Sequence, residues 1–173
     1  MYIEGEQILL RPIEHEEMIF FYEMATESDA AQYLYGEYTG EEIPDYEDFV
    51  EDWGNFEQEY EEDADLGMCF FIVADGNIVG VVSYGVIGRD DDSTQIDILI
   101  ADEDNMNRGY ATEAISVLIE YLFEELNVQK CIAEIPADNK RAKRTFEKAG
   151  FIQEKKVKRN NINMDVLVIE NFY

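Results

Sequence analysis

The chain has 173 residues, 46% apolar and 13% aromatic, which is enough for one packed domain and too few for two ordinary ones. Its formal net charge of −27 argues against nucleic acid and anionic membrane as partners, and no apolar run approaches the ~18 residues of a membrane span. A single histidine, His15, and two cysteines without CxxC spacing give no support for a structural zinc site; Cys69 and Cys131 read as buried reduced thiols. The acidic N-terminus lacks a secretory layout, so a cytoplasmic protein is expected.

In chain order, Gln7 to Pro12 predicts a short strand closed by proline. Glu14 to Glu27 carries Met18, Phe21, Tyr22 and Ala25 on one helical stripe. A second helical region is expected at about Asp29 to Tyr35, then a loop from Gly36 to Pro44. Asp45 to Glu62 reads as a helix, with Phe49, Val50, Trp53 and Phe56 on one side and carboxylates elsewhere. The period then changes. Met68 to Ala74 is a nearly continuous apolar run, Asp75-Gly76 signals a hairpin turn, and Ile78 to Ile87 returns. Gln95 to Ala101 completes a three-stranded antiparallel meander. Gly109 to Asn127 is the strongest helix, with Ala111, Ile115, Leu118, Leu122 and Leu126 on one face. Val128 to Ile135 is a strand, and Asp138 to Ala149 a helix stopped by Gly150. A hairpin turning at Asn160-Asn161 closes the chain. These elements predict one mixed α/β domain over residues 1–173, with seven strands. The strand–helix–strand unit around Gly109 adds a parallel pair to an otherwise antiparallel sheet.

Charge is unevenly spread. Glu37 to Asp65 holds fourteen carboxylates and no basic residue, whereas Lys130 to Arg159 holds ten of the thirteen basic residues. Such a bipolar chain steers a cation to one side and a phosphate-bearing ligand to the other; the alternative is general acidification for solubility. The segment Asn105 to Thr112 joins a strand to the N-terminus of the strong helix. Its glycine and arginine, free backbone amides and helix dipole suit a diphosphate.

The stretch Arg108-Gly-Tyr-Ala-Thr-Glu-Ala114 resembles the acetyl-CoA pyrophosphate loop of the GNAT N-acetyltransferase superfamily. Asn139-Lys-Arg-Ala-Lys-Arg-Thr-Phe-Glu-Lys-Ala-Gly-Phe151 resembles its second signature. The resemblance implies the GNAT fold, a mostly antiparallel seven-stranded sheet with a central parallel pair and about four helices, with acetyl-CoA (CoA) as the cofactor. It implies that the fourth strand bulges and splays from the fifth, and that the pantetheine arm lies along Ile98, Leu99 and Ile100. The diphosphate then rests on Asn107, Arg108, Gly109, Tyr110, Ala111 and Thr112. Asn139 bonds the amide arm, Ala142 and Phe146 line it, and Lys140, Arg141 and Arg144 lie near the adenosine phosphates. Two positions depart from the pattern. Met106 stands where Gln or Arg often begins the loop, and Phe146 replaces a tyrosine that serves as general acid.

Asp97 and Glu134 interrupt apolar strands. A charge there is costly unless paired or wetted by a cleft, the alternative being a polar outer strand face. Their spacings to Gly109 and Asn139 are similar to those of the aminoglycoside 6′-N-acetyltransferases. That resemblance implies an antibiotic-resistance type of activity, with Asp97 as the base near the attacking amine and Glu134 binding a substrate ammonium. Tyr33, Tyr35 and Trp53 are candidates to stack on a small cationic amine substrate, with core or rim packing as the alternative, and a backbone N–H near Leu99 or Ile100 is expected to stabilise the oxyanion. Polyamine or ribosomal-protein N-terminal acetylation and a non-catalytic acyl-CoA-binding domain stay open, as does monomer against homodimer.

Overall fold

Eight strands form one sheet in the order β1-β2-β3-β4-β5-β6-β8-β7 in a computed structural model that describes residues 1–37, 39–53 and 64–172. They are β1 (Ile3–Glu4), β2 (Ile8–Pro12), β3 (Met68–Ala74), β4 (Asn77–Tyr84), β5 (Ser93–Ile100), β6 (Lys130–Pro136), β7 (Ile152–Arg159) and β8 (Ile162–Glu170). Every neighbouring pair is antiparallel except β5–β6. The strand beyond the seven expected is β1, whose two residues are too few to show a period. Four α-helices are described: α1 (Met18–Glu27), α2 (Tyr46–Trp53), α3 (Tyr110–Glu124) and α4 (Lys140–Lys148). The later part of the helix expected to reach Glu62 lies outside the described residues. The helical region expected at 29–35 is only a 3-10 turn, Ala31–Tyr33, cut short before Gly36 at φ +96°.

Two cores lie against the sheet. One packs α3 and α4 on Ile8, Leu10, Phe70, Ile72, Ile96 and Leu167; the other packs α1 and α2 on Ile13, Cys69, Phe71 and Val81. Since alternate side chains of β3 enter opposite cores, its sequence reads as a continuous apolar run. Both cysteines are free and buried, and burial pushes the Cys131 thiol up to about 12 and the Cys69 thiol further.

The feature that positions the site is a fork. Strands β5 and β6 pair only at Ser93↔Lys130, Thr94↔Cys131 and Gln95↔Ile132. Beyond them β5 stays bound to β4 as far as Ile100, and β6 to β8 as far as Pro136. The expected bulge in the splayed strand is absent: the register of β5 on β4 runs unbroken from Ile96 to Ile100. The irregularities lie elsewhere, between Ile72 and Val73 and between Gln153 and Lys155.

The open edge has a definite parity. The Gln95 carbonyl accepts from Gly85 N–H and Ala101 N–H donates to the Val79 carbonyl, so odd-numbered residues of this stretch turn their backbone groups to β4. Alternation then leaves the amides and carbonyls of Ile98 and Ile100 turned into the slot. Gly80 enforces the closeness of β4, since a side chain there would drive into the Leu99 carbonyl.

Candidate active site

The chain enters α3 through Asn107 at φ 60° and Gly109 at φ 86°, two residue types that tolerate the left-handed region. The first bond of the helix runs from Glu113 N–H to the Gly109 carbonyl at 3.0 Å, and Gly109 offers no capping side chain. The amides of Tyr110, Ala111 and Thr112 therefore have no intrahelical acceptor, and they share the positive end of the helix dipole. Glu113 is held aside by Gln7, whose backbone N–H donates at 2.8 Å and whose Nε2 donates at 3.1 Å.

A cavity of about 190 Å³ opens at this helix end. Ile98, Leu99 and Ile100 line one side, and Asn107, Gly109, Tyr110, Ala111 and Thr112 line its base. Asn139 and Ala142 line the α4 side. Asn139 also caps α4, its Oδ1 accepting from Ala142 N–H at 3.2 Å, which leaves its amide nitrogen as the donor for the cavity.

Two expected lining residues stand apart. Arg108 is exposed and is not part of the wall. Phe146 is 3% exposed and packs edge-on against Phe151 at 5.0 Å, so it supports the wall from the core. The basic stripe is also shifted from expectation. Of Lys140, Arg141 and Arg144, only Arg141 lines the cavity, joined by Thr145 and Lys148. Spacings of four and three place 141, 145 and 148 on one helix face, a pattern already present in the sequence. The Arg141 guanidinium meets the Met106 thioether, so α4 supplies charge at the place where the loop itself has none. Asn105, at the start of the segment expected to hold the diphosphate, lines the cavity, as does Tyr33; Ala30 also lines it and carried no sequence signal for that role.

On the opposite sheet face lies a smaller cavity of about 30 Å³, lined by Phe21, Leu34, Tyr35, Phe49, Trp53 and Asp97 among others. It shares Ile98 and Leu99 with the larger one, so the two flank the same stretch of β5 beyond the fork. Trp53 stands edge-on to Phe21 at 5.3 Å and hydrogen-bonds Tyr35, whose phenol is pushed up chiefly by burial. Tyr35 and Trp53 thus pack on the α1/α2 core and border Asp97 at once.

Asp97 is wetted yet walled by protein. Burial raises its carboxyl above the ordinary range, the Glu134 charge raises it further, and a long hydrogen bond from Gln95 Nε2 at 3.4 Å works against both. Asp97 and Glu134 each stand two residues past the last β5–β6 pair, on the same face of the sheet. Glu134, expected to be open to a substrate ammonium, already holds a cation. Arg159 NH2 donates to its Oε1 at 2.9 Å and Nε to its Oε2 at 3.3 Å. No sequence signal links residues twenty-five apart on different strands.

A family model for an acetyltransferase (GNAT) domain matches residues 7–152. The chain belongs to the GNAT acetyltransferase family. It is an acetyl-CoA-dependent N-acetyltransferase. This GNAT chain is 30% identical over 122 residues to the probable N-acetyltransferase YjcK of Bacillus subtilis (strain 168), covering 67% of each. It is 25% identical to the spermidine N(1)-acetyltransferase of Vibrio cholerae, covering 87% of this chain and 82% of that one. Among solved structures, the aminoglycoside acetyltransferase AAC(6')-Ib with Parmomycin and AcetylCoA superposes with a TM-score of 0.77 at 20% identity, over 95% of this chain and 94% of that one. The Vibrio cholerae spermidine N-acetyltransferase with CoA and spermine gives 0.76 at 19%, over 96% of each. These two likenesses extend the GNAT fold to nearly the whole chain. Among the described residues, no helix is long and apolar enough to cross a membrane, and no acid, histidine and thiol cluster suits a metal ion.

Proposed function

We propose that this GNAT enzyme acetylates a primary amine of a small polycationic acceptor: Asp97 takes a proton from the acceptor ammonium, and the free amine attacks the thioester carbonyl, forming the amide as the carbon–sulphur bond breaks and CoA leaves. The observation that carries the reading is that two cavities flank the same stretch of β5 at Ile98 and Leu99, with Asp97 lining the smaller one. Bound acetyl-CoA supplies an activated acetyl thioester. The larger cavity fits it on chemical grounds: an open strand edge suits an amide-bearing arm, and α3 amides with Arg141 and Lys148 suit phosphates.

Each residue has a definite task. Tyr110, Ala111 and Thr112 hold the diphosphate through backbone N–H groups. Ile98 and Ile100 turn their peptide groups to the arm, and an N–H of this parity steadies the carbonyl oxygen as it gains charge. Leu99 is excluded from that task because its carbonyl is turned to β4. Asp97 accepts the ammonium proton, and its raised pKa brings it closer to the working pH of a general base. Phe146 offers no proton to a leaving sulphur, so water supplies it or a thiolate departs.

For the acceptor, the acidic segment from Glu37 to Asp65 and the carboxylates at the fork support a polycation. The resemblance of the Asp97 and Glu134 spacings to those of the aminoglycoside 6′-N-acetyltransferases favours an aminoglycoside 6′-amine. A polyamine is the second reading, supported by the 25% identity to a spermidine acetyltransferase. A thiol-release assay with acetyl-CoA against kanamycin-type compounds, spermidine and peptides separates them. Turnover restricted to peptides would overturn both.

A further inference from the structure

We infer that Arg159 sets acceptor specificity: it holds Glu134 as a resident counter-cation, and an acceptor with a second ammonium binds by displacing it. The inference rests on the proposed amine-acetylating reading of the same groove.

The geometry shows which partner can move. The Glu134 side chain is 21% exposed on a strand paired to β8, whereas that of Arg159 is 59% exposed at the end of β7. The anion is fixed and half-buried; the cation is long, solvated and free to swing aside. The contact is bidentate, so Arg159 covers both carboxylate oxygens that an ammonium would use. Asn160, the next residue, crosses to the acidic loop, donating from Nδ2 to Glu41 Oε1 at 2.9 Å and to the Thr39 carbonyl at 3.3 Å. The hairpin tip therefore ties the acidic loop to β6, and Arg159 stands on the sheet face that carries Asp97 and Glu134.

The consequence is selective. An acceptor with one ammonium meets Asp97 and leaves the Arg159–Glu134 pair intact. An acceptor with a further ammonium gains Glu134 only by exchange, so its apparent affinity falls by the fraction of protein in which Arg159 holds the site. Removing Arg159 then favours polycations alone.

The test measures calorimetric binding of spermidine and of butylamine to the full chain saturated with CoA. Arg159→Gln is compared with wild type, with Glu134→Gln, with the double variant and with Lys158→Gln. Lys158 is exposed on the same strand but on the α4 side, the side on which Lys156 lies 3.9 Å from Asp165. Its replacement removes the same charge outside the groove. Arg159→Gln is expected to tighten spermidine by about three-fold, the order of an exposed ion pair, and to leave butylamine unchanged. The gain should vanish in the Glu134→Gln background and be absent in Lys158→Gln. An unchanged spermidine affinity, an equal gain in Lys158→Gln, or a gain that survives without Glu134 overturns the inference. So does spermidine that binds neither protein. Failure of the acetylation reading looks different: amines bind with this selectivity, yet none is acetylated.

Discussion

Replacing Asp97 with asparagine keeps the volume of the side chain and removes its charge, and the structure predicts opposite signs for activity and stability. General-base catalysis contributes roughly 10²–10⁴ in rate. Water reaches the exposed Asp97 side chain and can take over part of the task, so the lower end, a loss in kcat of about 10², is expected. Stability moves the other way. Burial and the Glu134 charge lift the folded-state pKa above the unfolded value, so the native state binds the proton more tightly than the unfolded chain does. The stability contributed by that bound proton is complete below about 3.9, the unfolded value, and is lost as pH rises through the higher folded pKa. At neutral pH the ionised Asp97 is a net burden, and Asp97→Asn should melt no lower than wild type. That advantage should fade in acid. Thiol release gives kcat, calorimetry gives the CoA affinity, and a melting curve at neutral and acid pH gives the stability. A kcat within about three-fold of wild type would remove Asp97 from proton transfer. A rate loss accompanied by a lower melting temperature and lost CoA binding would show structural damage and refute the argument equally.

The acid limb of the kcat–pH profile should lie above the ordinary carboxylate range, and Glu134→Gln should move it to lower pH because a like charge is withdrawn; a limb that stays put counts against the coupling. Gly80→Ala should force β5 away from β4 at Leu99, lowering both the melting temperature and CoA affinity, by about 1–3 kcal/mol in stability. Arg141→Gln and Lys148→Gln should each weaken CoA by a few-fold, less at high salt, whereas Lys140→Gln should not. Equal losses at all three sites would mean general attraction rather than a defined phosphate face.

How much was legible follows from the range of each interaction. The helix of α3 was readable because its stripe repeats every turn, and the loop before it because Gly109 and Asn107 suit a left-handed backbone. The hairpins at Asp75-Gly76 and Asn160-Asn161 were readable for the same reason, since φ is positive at all four residues. These are local rules, enforced by sterics within a few residues. Asp97 and Glu134 stood out because charge inside an apolar strand demands an explanation wherever that strand lies.

What tertiary structure alone decided concerns partners distant in sequence. That Ile98 and Ile100, and not Leu99, present backbone groups to the slot depends on the register of β5 against β4. That Phe146 faces the core and Lys148 the cavity depends on how α4 is rotated on the sheet. That Glu134 arrives already paired depends on β8 lying between β6 and β7, which brings Arg159 back across the hairpin. Sequence patterns state what each segment must bury; only the assembled sheet states which neighbour each exposed group will meet.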